Sequence, residues 1–272
     1  MNIDLHCHST ASDGVLTPPE LLELAVEREV DMLSITDHDT LAAYHHEEIQ
    51  TTQINLITGI ELTALWRNLE IHVVGLNLDL HHESILVGVD LQTKTRKERA
   101  TRIAQKLESV GIQRGLDGAN LEANGGQIGR LHFARYLVKV GAAKDVPRAF
   151  KKFLGRGKMG DVKTSWPNIE SVVSWITRAG GIAVLAHPAK YGLTKTKINS
   201  LLGHFKNVGG QAMEVISGMQ TPELTRELAL LSGNYQLLAS CGSDFHTPEK
   251  AWAALGRVES LPAECIPVWE HW

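Results

Sequence analysis

Asp31-Met32-Leu33-Ser34-Ile35-Thr36-Asp37-His38-Asp39 is a short apolar run that ends in a cluster of ionisable side chains. The run reads as a strand, and it delivers Thr36, Asp37 and His38 at its C-terminal end. The same arrangement recurs along the chain. Asn2-Ile3-Asp4-Leu5-His6 leads to Cys7-His8, and Ile54 to Glu61 ends in Gly59-Ile60-Glu61. Ile71-His72-Val73-Val74-Gly75-Leu76 carries its own histidine, and Ile182 to Leu185 leads to Ala186-His187-Pro188. Met213-Glu214-Val215 is a further strand, and Gln236 to Ser240 leads to Gly242-Ser243-Asp244-Phe245-His246. Helical segments lie between. One opens at Thr17, an N-cap followed by Pro18 and Pro19, and continues through Leu21 to Val26. Short apolar strands separated by helices predict βα units and a mainly parallel sheet. Because ligands from first, middle and last strands must converge, a closed or nearly closed α/β barrel fits better than an open sheet.

Between about Glu83 and Trp166 the alternation stops. Lys94 to Gly111 has the pattern of one amphipathic helix with Ile103, Leu107 and Val110 on its apolar side. Leu131 to Val140 and Val146 to Leu154 read as further helices, and Gly155-Arg156-Gly157-Lys158 breaks the run. The expected organisation is a barrel from residues 1–82 and 167–272, with residues 83–166 as a helical insertion over its mouth.

At 272 residues and 43% hydrophobic content the chain can bury one large core with such an insertion. No apolar run approaches the roughly 20 residues that span a bilayer, and the N-terminus lacks a signal-peptide pattern. Cys7, Cys241 and Cys265 are an odd set without CxxC spacing, which suits a reducing cytoplasm. Cys7 and Cys241 border metal-type clusters but are expected to be small buried residues. A net charge of −4 argues against a generic nucleic-acid coat and leaves room for one nucleotide in a local basic pocket.

The ionisable clusters carry the chemistry. His6 and His8, two apart at a strand end, leave the same face and can share an ion; Asp4 shares that face and can orient a ligand. Asp244-x-His246 repeats this spacing, and Ser12-Asp13-Gly14 adds another carboxylate. Three carboxylates and several imidazoles at neighbouring strand ends would repel and desolvate one another without cations. Imidazole and carboxylate together suit Mn, Zn or Fe(II). The nine candidates His6, His8, Asp13, His38, Glu61, His72, His187, Asp244 and His246 exceed the needs of one ion and point to two or three. His45, His46, His81, His82, His204 and His271 stand in polar or terminal contexts and are not counted.

In this order the motifs H-x-H, SDG, TDHD, GIE, a histidine before VVG, AHP and GSDFH resemble the polymerase-and-histidinol-phosphatase (PHP) domain, one of the amidohydrolase-like metal-dependent hydrolases. The resemblance implies a distorted (β/α)7 barrel with three metal ions at the strand C-termini. It assigns His6, His8 and Asp244 to one ion with Glu61 bridging, Asp13, His38 and His246 to a second, and His72, His187 and Glu61 to a third. The segments Gly129 to Arg135, Phe150 to Gly157, Met213 to Val215 and Gly242 to His246 most resemble the branch of 3′,5′-nucleoside bisphosphate phosphatases and 5′-to-3′ exoribonucleases.

Three divalent ions outweigh the charges of Asp13, Glu61 and Asp244, so the pocket favours an anionic phosphate ester. The expected reaction is removal of the 3′-phosphate of a nucleoside 3′,5′-bisphosphate. The same chemistry on 5′-phosphorylated RNA or oligonucleotides releases nucleotides from the 5′ end. A phosphatase of the histidinol-phosphate type is the alternative enzyme, and a non-catalytic PHP module supporting a partner is the alternative outside catalysis. Asp37, His38 or a metal-bound water are candidate acids for the leaving group. Arg96, Arg99 and Arg102 recur every three residues on the long helix, and arginine's planar fork suits a phosphate monoester. The resemblance to that branch places substrate-binding segments here, which makes Arg99, Arg102 and Arg135, with His132 nearby, the expected substrate contacts, whereas Arg96 and Lys97 are expected to face solvent. No obligate protein partner and no membrane association are inferred.

Overall fold

Ile3–Cys7 (β1), Met32–Ile35 (β2) and Asn55–Leu56 (β3) form a three-stranded parallel sheet in that order in the computed structural model, which describes residues 1–47, 49 and 54–272. Gly59–Trp66 (β4), Leu69–Leu76 (β5), Ile182–Leu185 (β6), Ala212–Ser217 (β7) and Leu238–Gly242 (β8) form a five-stranded sheet, also in chain order. β6, β7 and β8 are parallel, but β5 is antiparallel to both of its neighbours.

Two expectations are corrected here. The run from Ile54 to Glu61 is not one strand: it divides at Ile57-Thr58, so that β3 belongs to the first sheet and β4 to the second. The βα alternation is also broken by the β4–β5 hairpin. Its two-residue turn, Arg67-Asn68, places Arg67 at φ 56, the left-handed backbone that matches the twist of paired strands.

The two sheets meet along two irregular seams. At the first, the Asp244 N–H donates to the His6 carbonyl at 2.8 Å and the His8 N–H to the Phe245 carbonyl at 2.9 Å. At the second, the Asp39 N–H donates to the Glu61 carbonyl at 2.8 Å and the Glu61 N–H to the Asp37 carbonyl at 3.3 Å.

Helices cover the outside. Pro18–Glu27 (α1) starts at a capping box in which Thr17 accepts from the Glu20 N–H and the Glu20 carboxylate accepts from the Thr17 N–H. Ile169–Arg178 (α6), Lys195–Asn207 (α7) and Pro222–Asn234 (α8) follow the insertion in sequence. Leu62, Val73, Ile176, Leu185, Leu201 and Phe205 belong to the main core, each worth roughly 1.5–3 kcal/mol of burial.

Residues 83–166 contain Glu83–Glu108 (α2), Gly115–Ala123 (α3), Arg130–Lys139 (α4) and Val146–Ala149 (α5), the last running into a π turn at Phe150–Leu154. α2 begins at Glu83 rather than Lys94, because Ile85 and Gln92 are fully buried and Gly88 packs under the Trp175 ring. Ile103 and Leu107 are buried as expected; Val110 lies beyond the helix end and is exposed. A separate core of Ile103, Leu107, Phe133, Leu137, Phe153 and Leu154 lies wholly within residues 83–166. Among the described residues, no helix is long and apolar enough to cross a membrane.

Candidate metal centre

The seams are where the ionisable side chains emerge. His6 and His8 leave the end of β1, Asp13 follows in the next turn, and His38 lies just past β2. Glu61 and His72 come from β4 and β5. In that hairpin His72 stands opposite Thr63, so the two ligands are diagonal neighbours on one face. His187 follows β6, and Asp244 and His246 follow β8. Register shifts occur at His6 in the β1–β2 pair and next to Glu214 in the β7–β8 pair, and such bulges re-aim side chains. Two glycines permit the close approach. A Cβ on Gly242 would lie 2.4 Å from the His6 Cβ, and one on Gly14 would lie 2.2 Å from the His8 carbonyl oxygen. The SDG and GSDFH motifs thus owe their glycines to packing against the H-x-H turn.

Four donor atoms form a tight first group. His6 Nε2 and His8 Nε2 are 3.2 Å apart, each is 3.4 Å from Glu61 Oε2, and His8 Nε2 is 3.3 Å from Asp244 Oδ1. Ligand–ligand edges in tetrahedral or octahedral shells with bonds of about 2.0–2.2 Å are about 2.8–3.6 Å long. In the second group His246 Nε2 is 3.3 Å from Asp13 Oδ1, and His8 and His38 lie in the same cluster. In the third, His72 Nδ1 and His187 Nε2 are 2.9 and 3.0 Å from Glu61 Oε1. His38 Nδ1 is 2.9 Å from the other Glu61 oxygen. The structure therefore brings all nine residues together, with His8 and His38 each standing between two groups.

Several of these atoms are buried with no hydrogen-bond partner among the described residues: His8 Nδ1, Asp13 Oδ1, His38 Nδ1 and Glu61 Oε2. Buried polar atoms are rarely left so, and a cluster of them aimed at one another fits divalent cations.

Glu214 is the residue that sequence reasoning did not place. Its Oε1 accepts from His6 Nδ1 at 2.5 Å and its Oε2 from the His187 N–H at 2.6 Å. A carboxylate only accepts, so Nδ1 carries the proton and the His6 Nε2 lone pair faces the centre. His246 Nδ1 likewise donates to the Asp244 carbonyl at 2.9 Å, leaving Nε2 toward Asp13. The Lys190 ammonium donates to Asp244 Oδ2 and fixes which oxygen turns inward. Asp4 acts through the backbone: its oxygens accept from the Ser243 and Gly256 N–H groups and, at 3.5 Å, from the His6 N–H, so it holds the β8 turn against the H-x-H segment. Asp37 is also withdrawn from the leaving-group candidates, since both its oxygens are taken by Ser9 and Ser12. The Cys7 and Cys241 thiols face the Ser34 and Ile3 carbonyls.

Electrostatics fit the same picture. Burial pushes the Glu61 carboxyl up, but His72, His38 and His6 outweigh it and hold it well below the usual range. Asp13, against His246 and His38, and Asp244, against His8, His246 and His6, behave likewise. Burial and the neighbouring His246 push His8 down to about 3, so it stays neutral and able to ligate. Burial disfavours the charged form of His6, yet Glu214 and Glu61 outweigh it and raise its proton affinity; a cation held beside Nε2 would take the place of that proton.

The arginines of the insertion are more engaged than expected. Arg96 does not face solvent: only 7% exposed, it donates from Nε to Asp39 Oδ2 at 2.6 Å, because Asp39 would otherwise be a buried charge without a cation. Lys97 is exposed. Arg99 pairs with Glu70 at 3.1 Å and lies over the Trp166 ring, with its Nε buried and unpartnered. Arg130 and the Trp166 indole N–H also reach Glu70. Arg135 donates to the Asp13 carbonyl at 3.1 Å. His132 is buried beside the Gly129 N–H, and burial lowers it to about 4. Arg102 is exposed and turns to the Lys163 carbonyl, away from Glu70. The four expected substrate contacts thus each have a different partner, with Arg135 adjoining the Asp13 loop.

Residues 4–114 match the PHP domain family. The chain is 46% identical to the 5′-3′ exoribonuclease Rnm of Escherichia coli over 99% of its own length and 93% of that protein. It is 39% identical to a 3′,5′-nucleoside bisphosphate phosphatase of Chromobacterium violaceum, over 99% and 96% of the two chains. Among solved structures, an amidohydrolase from Chromobacterium violaceum with bound sulfate and no metal superposes with a TM-score of 0.92 at 38% identity, covering 99% of this chain and 95% of that one.

Proposed function

The chain belongs to the PHP domain family, and from that premise we propose that it is a metal-dependent phosphohydrolase that removes the 3′-phosphate of nucleoside 3′,5′-bisphosphates and degrades 5′-phosphorylated RNA from its 5′ end. One observation carries this reading: nine imidazoles and carboxylates converge at the strand ends with unpartnered donor atoms, in a chain related over nearly its full length to proteins named for these two activities. We read the two sheets and their seams as a distorted seven-stranded barrel, with β3 as an outlying strand and residues 83–166 as its cap.

Bound at His6, His8, Asp13, His38, Glu61, His72, His187, Asp244 and His246, divalent cations, which we take to be three manganese ions, supply activation of water and neutralisation of charge on the phosphate. The protein's own part is positioning. Glu214 sets the tautomer of His6 and anchors the His187 backbone, while Lys190 sets the rotamer of Asp244. His187 and Asp244 hold left-handed backbone at φ 28 and 55, a strain that the Glu214 and Lys190 contacts help to maintain. Arg99 has a buried donor free on Nε, and we assign it with Arg135 to the 5′-phosphate of the substrate.

The test is a comparison of turnover on a 3′,5′-bisphosphate nucleotide, a 3′-monophosphate, a 5′-phosphorylated RNA and its 5′-hydroxyl twin, with metal content measured on the same preparation. The reading expects the 5′-phosphorylated member of each pair to be favoured. Equal rates within both pairs would refute it.

A further inference from the structure

A cavity of about 350 Å³ adjoins the metal centre, and none of its lining comes from residues 83–166. His187 and Glu214 form the wall it shares with the centre. Its floor is apolar, with Leu228 buried and Leu224 half-buried, and Met219 stands at the rim 68% exposed. Two polar groups have no structural purpose within the fold that uses them fully. The Ser217 hydroxyl lines the cavity, buried and without a hydrogen-bond partner. Lys190 gives one hydrogen to Asp244 and keeps its side chain 48% exposed. A second cavity of about 510 Å³ is lined by Met1, Ile3 and residues between Val258 and Glu270; it contains none of the nine ligands.

A phosphodiester at the metal centre must leave it in two directions. On the 3′-oxygen side is the nucleoside whose 5′-phosphate the insertion is proposed to hold. On the 5′-oxygen side the chain continues, and in a bisphosphate this direction is empty. A cavity that touches the centre, avoids the insertion and joins an apolar floor to a cation and a free hydroxyl has the chemistry of a nucleoside site. We infer that this cavity binds the nucleoside on the 5′-oxygen side of the scissile phosphate, with Met219 and Leu224 against the base, Ser217 on its polar edge and Lys190 beside the linking phosphate.

The inference rests on the phosphohydrolase reading above. In the reaction it serves, water oxygen adds to phosphorus, the P–O3′ bond breaks and the 3′-oxygen takes a proton. The downstream nucleoside keeps the phosphate as a new 5′-phosphate. The cavity therefore bears on diesters and leaves the bisphosphate untouched.

The experiment uses the metal-loaded full chain with three substrates of the same first nucleoside: the 3′,5′-bisphosphate, its 3′-methyl diester and the 5′-phosphorylated dinucleotide. The dinucleotide should exceed the methyl diester in kcat/KM by about two- to tenfold or more, the range of a thioether–ring contact, and Met219→Ala should remove that advantage. Leu224→Trp, which fills the cavity mouth, should lower dinucleotide turnover roughly tenfold or more while the bisphosphate rate, which also reports a sound fold, stays at the parent value. Equal kcat/KM for dinucleotide and methyl diester in the parent overturns the inference. So does equal damage by a soundly folded Leu224→Trp to bisphosphate and dinucleotide, which assigns the cavity to the first nucleoside. If the parent cleaves the bisphosphate and neither diester, the inference fails and the phosphatase reading stands. If it cleaves none of the three, the phosphohydrolase reading fails as well.

Discussion

Glu214→Gln is the smallest change that tests how the centre is held. The amide has almost the shape of the carboxylate, so the core around β7 has no reason to collapse. Its chemistry differs at one atom. Glu214 meets two donors, the His187 backbone N–H and the His6 Nδ1–H. The backbone donor cannot change, so the glutamine oxygen is retained there and the NH₂ group is forced onto His6. Nδ1 must then accept, the proton moves to Nε2, and that proton points at His8 Nε2 only 3.2 Å away and at Glu61 Oε2 at 3.4 Å. The position that should offer a lone pair to a cation now presents a hydrogen. Outer partners of metal-bound histidines are worth roughly 10- to 100-fold in metal affinity or activity, about 1.4–2.7 kcal/mol. The inverted tautomer places Glu214→Gln at the upper end of that range. Metal titration by equilibrium dialysis, followed by phosphatase assays across the same metal concentrations, measures it. Activity should fall at limiting metal and recover in part when metal is raised, with circular dichroism unchanged. Parent metal affinity and parent turnover in Glu214→Gln would show that His6 is not oriented in the way described.

Four further outcomes are expected. His8→Ala and Asp244→Ala should abolish phosphoester hydrolysis and lower bound metal without unfolding the chain; near-normal turnover with full metal in either would exclude the proposed centre. Arg99→Ala should reduce kcat/KM on a 3′,5′-bisphosphate by roughly ten- to a hundredfold and harm the 3′-monophosphate much less, since only the first presents the missing partner. For Glu70, burial raises the carboxyl, but Arg99 and Arg130 overcome it and bring it down to about 2, from an ordinary 4.5. A depressed carboxyl gives stability that is complete above pH 4.5 and lost as pH falls toward about 2. The stability gap between parent and Glu70→Gln, at most about 3 kcal/mol near neutrality, should therefore narrow across that window in acid melts. Removing metal held at about 100 times its dissociation constant should cost about 2.7 kcal/mol for each site and lower Tm by several degrees or more, and a melt unchanged by chelator would argue against cations at the seams.

Most of the nine candidate ligands were legible because they stand at or just past the end of an apolar run, where a period of two and a sudden change of composition coincide; Asp13, in the Ser12-Asp13-Gly14 turn, and His72, inside Ile71 to Leu76, were legible from the order of the motifs. Glu214 carried no such mark: Met213-Glu214-Val215 entered only as a strand and as one segment of the branch resemblance, the glutamate has no spacing partner, and its role exists only once it meets His6 from β1 and the His187 N–H after β6. The antiparallel β5 was hidden for a local reason, since Arg67-Asn68 lacks the Asn-Gly or Asp-Gly signal that usually marks a two-residue turn. Arg96 illustrates a different failure. Stepping back along α2 from Leu107 and Ile103 by three or four residues reaches Arg99, Arg96, Gln92, Gly88 and Ile85, all buried. The stripe was present in the sequence, but Arg96 on it reads as a solvent-facing side chain and Arg99 as a substrate contact, and Gln92 precedes the expected helix start at Lys94. The buried Asp39 and the half-buried Glu70, their partners, were needed to see that the charges point inward.

The seams join these observations. A regular parallel pair would carry successive side chains alternately to its two faces, so His6 and His8 could share an ion while Asp244 and Glu61 remained out of reach. The irregular contacts at His6–Asp244, His8–Phe245 and Asp37–Glu61 turn the chain at each seam, and every ligand group draws on residues from both sheets. Cations placed there bind the three-stranded and five-stranded sheets to each other as well as binding substrate. The same backbone groups that close the seams also set the ligand directions, so closure and metal affinity must rise and fall together. This accounts for the tight packing of Gly242 on His6 and of Gly14 on His8. A side chain at either glycine would part the seam by an ångström or more, and the donor atoms would separate with it.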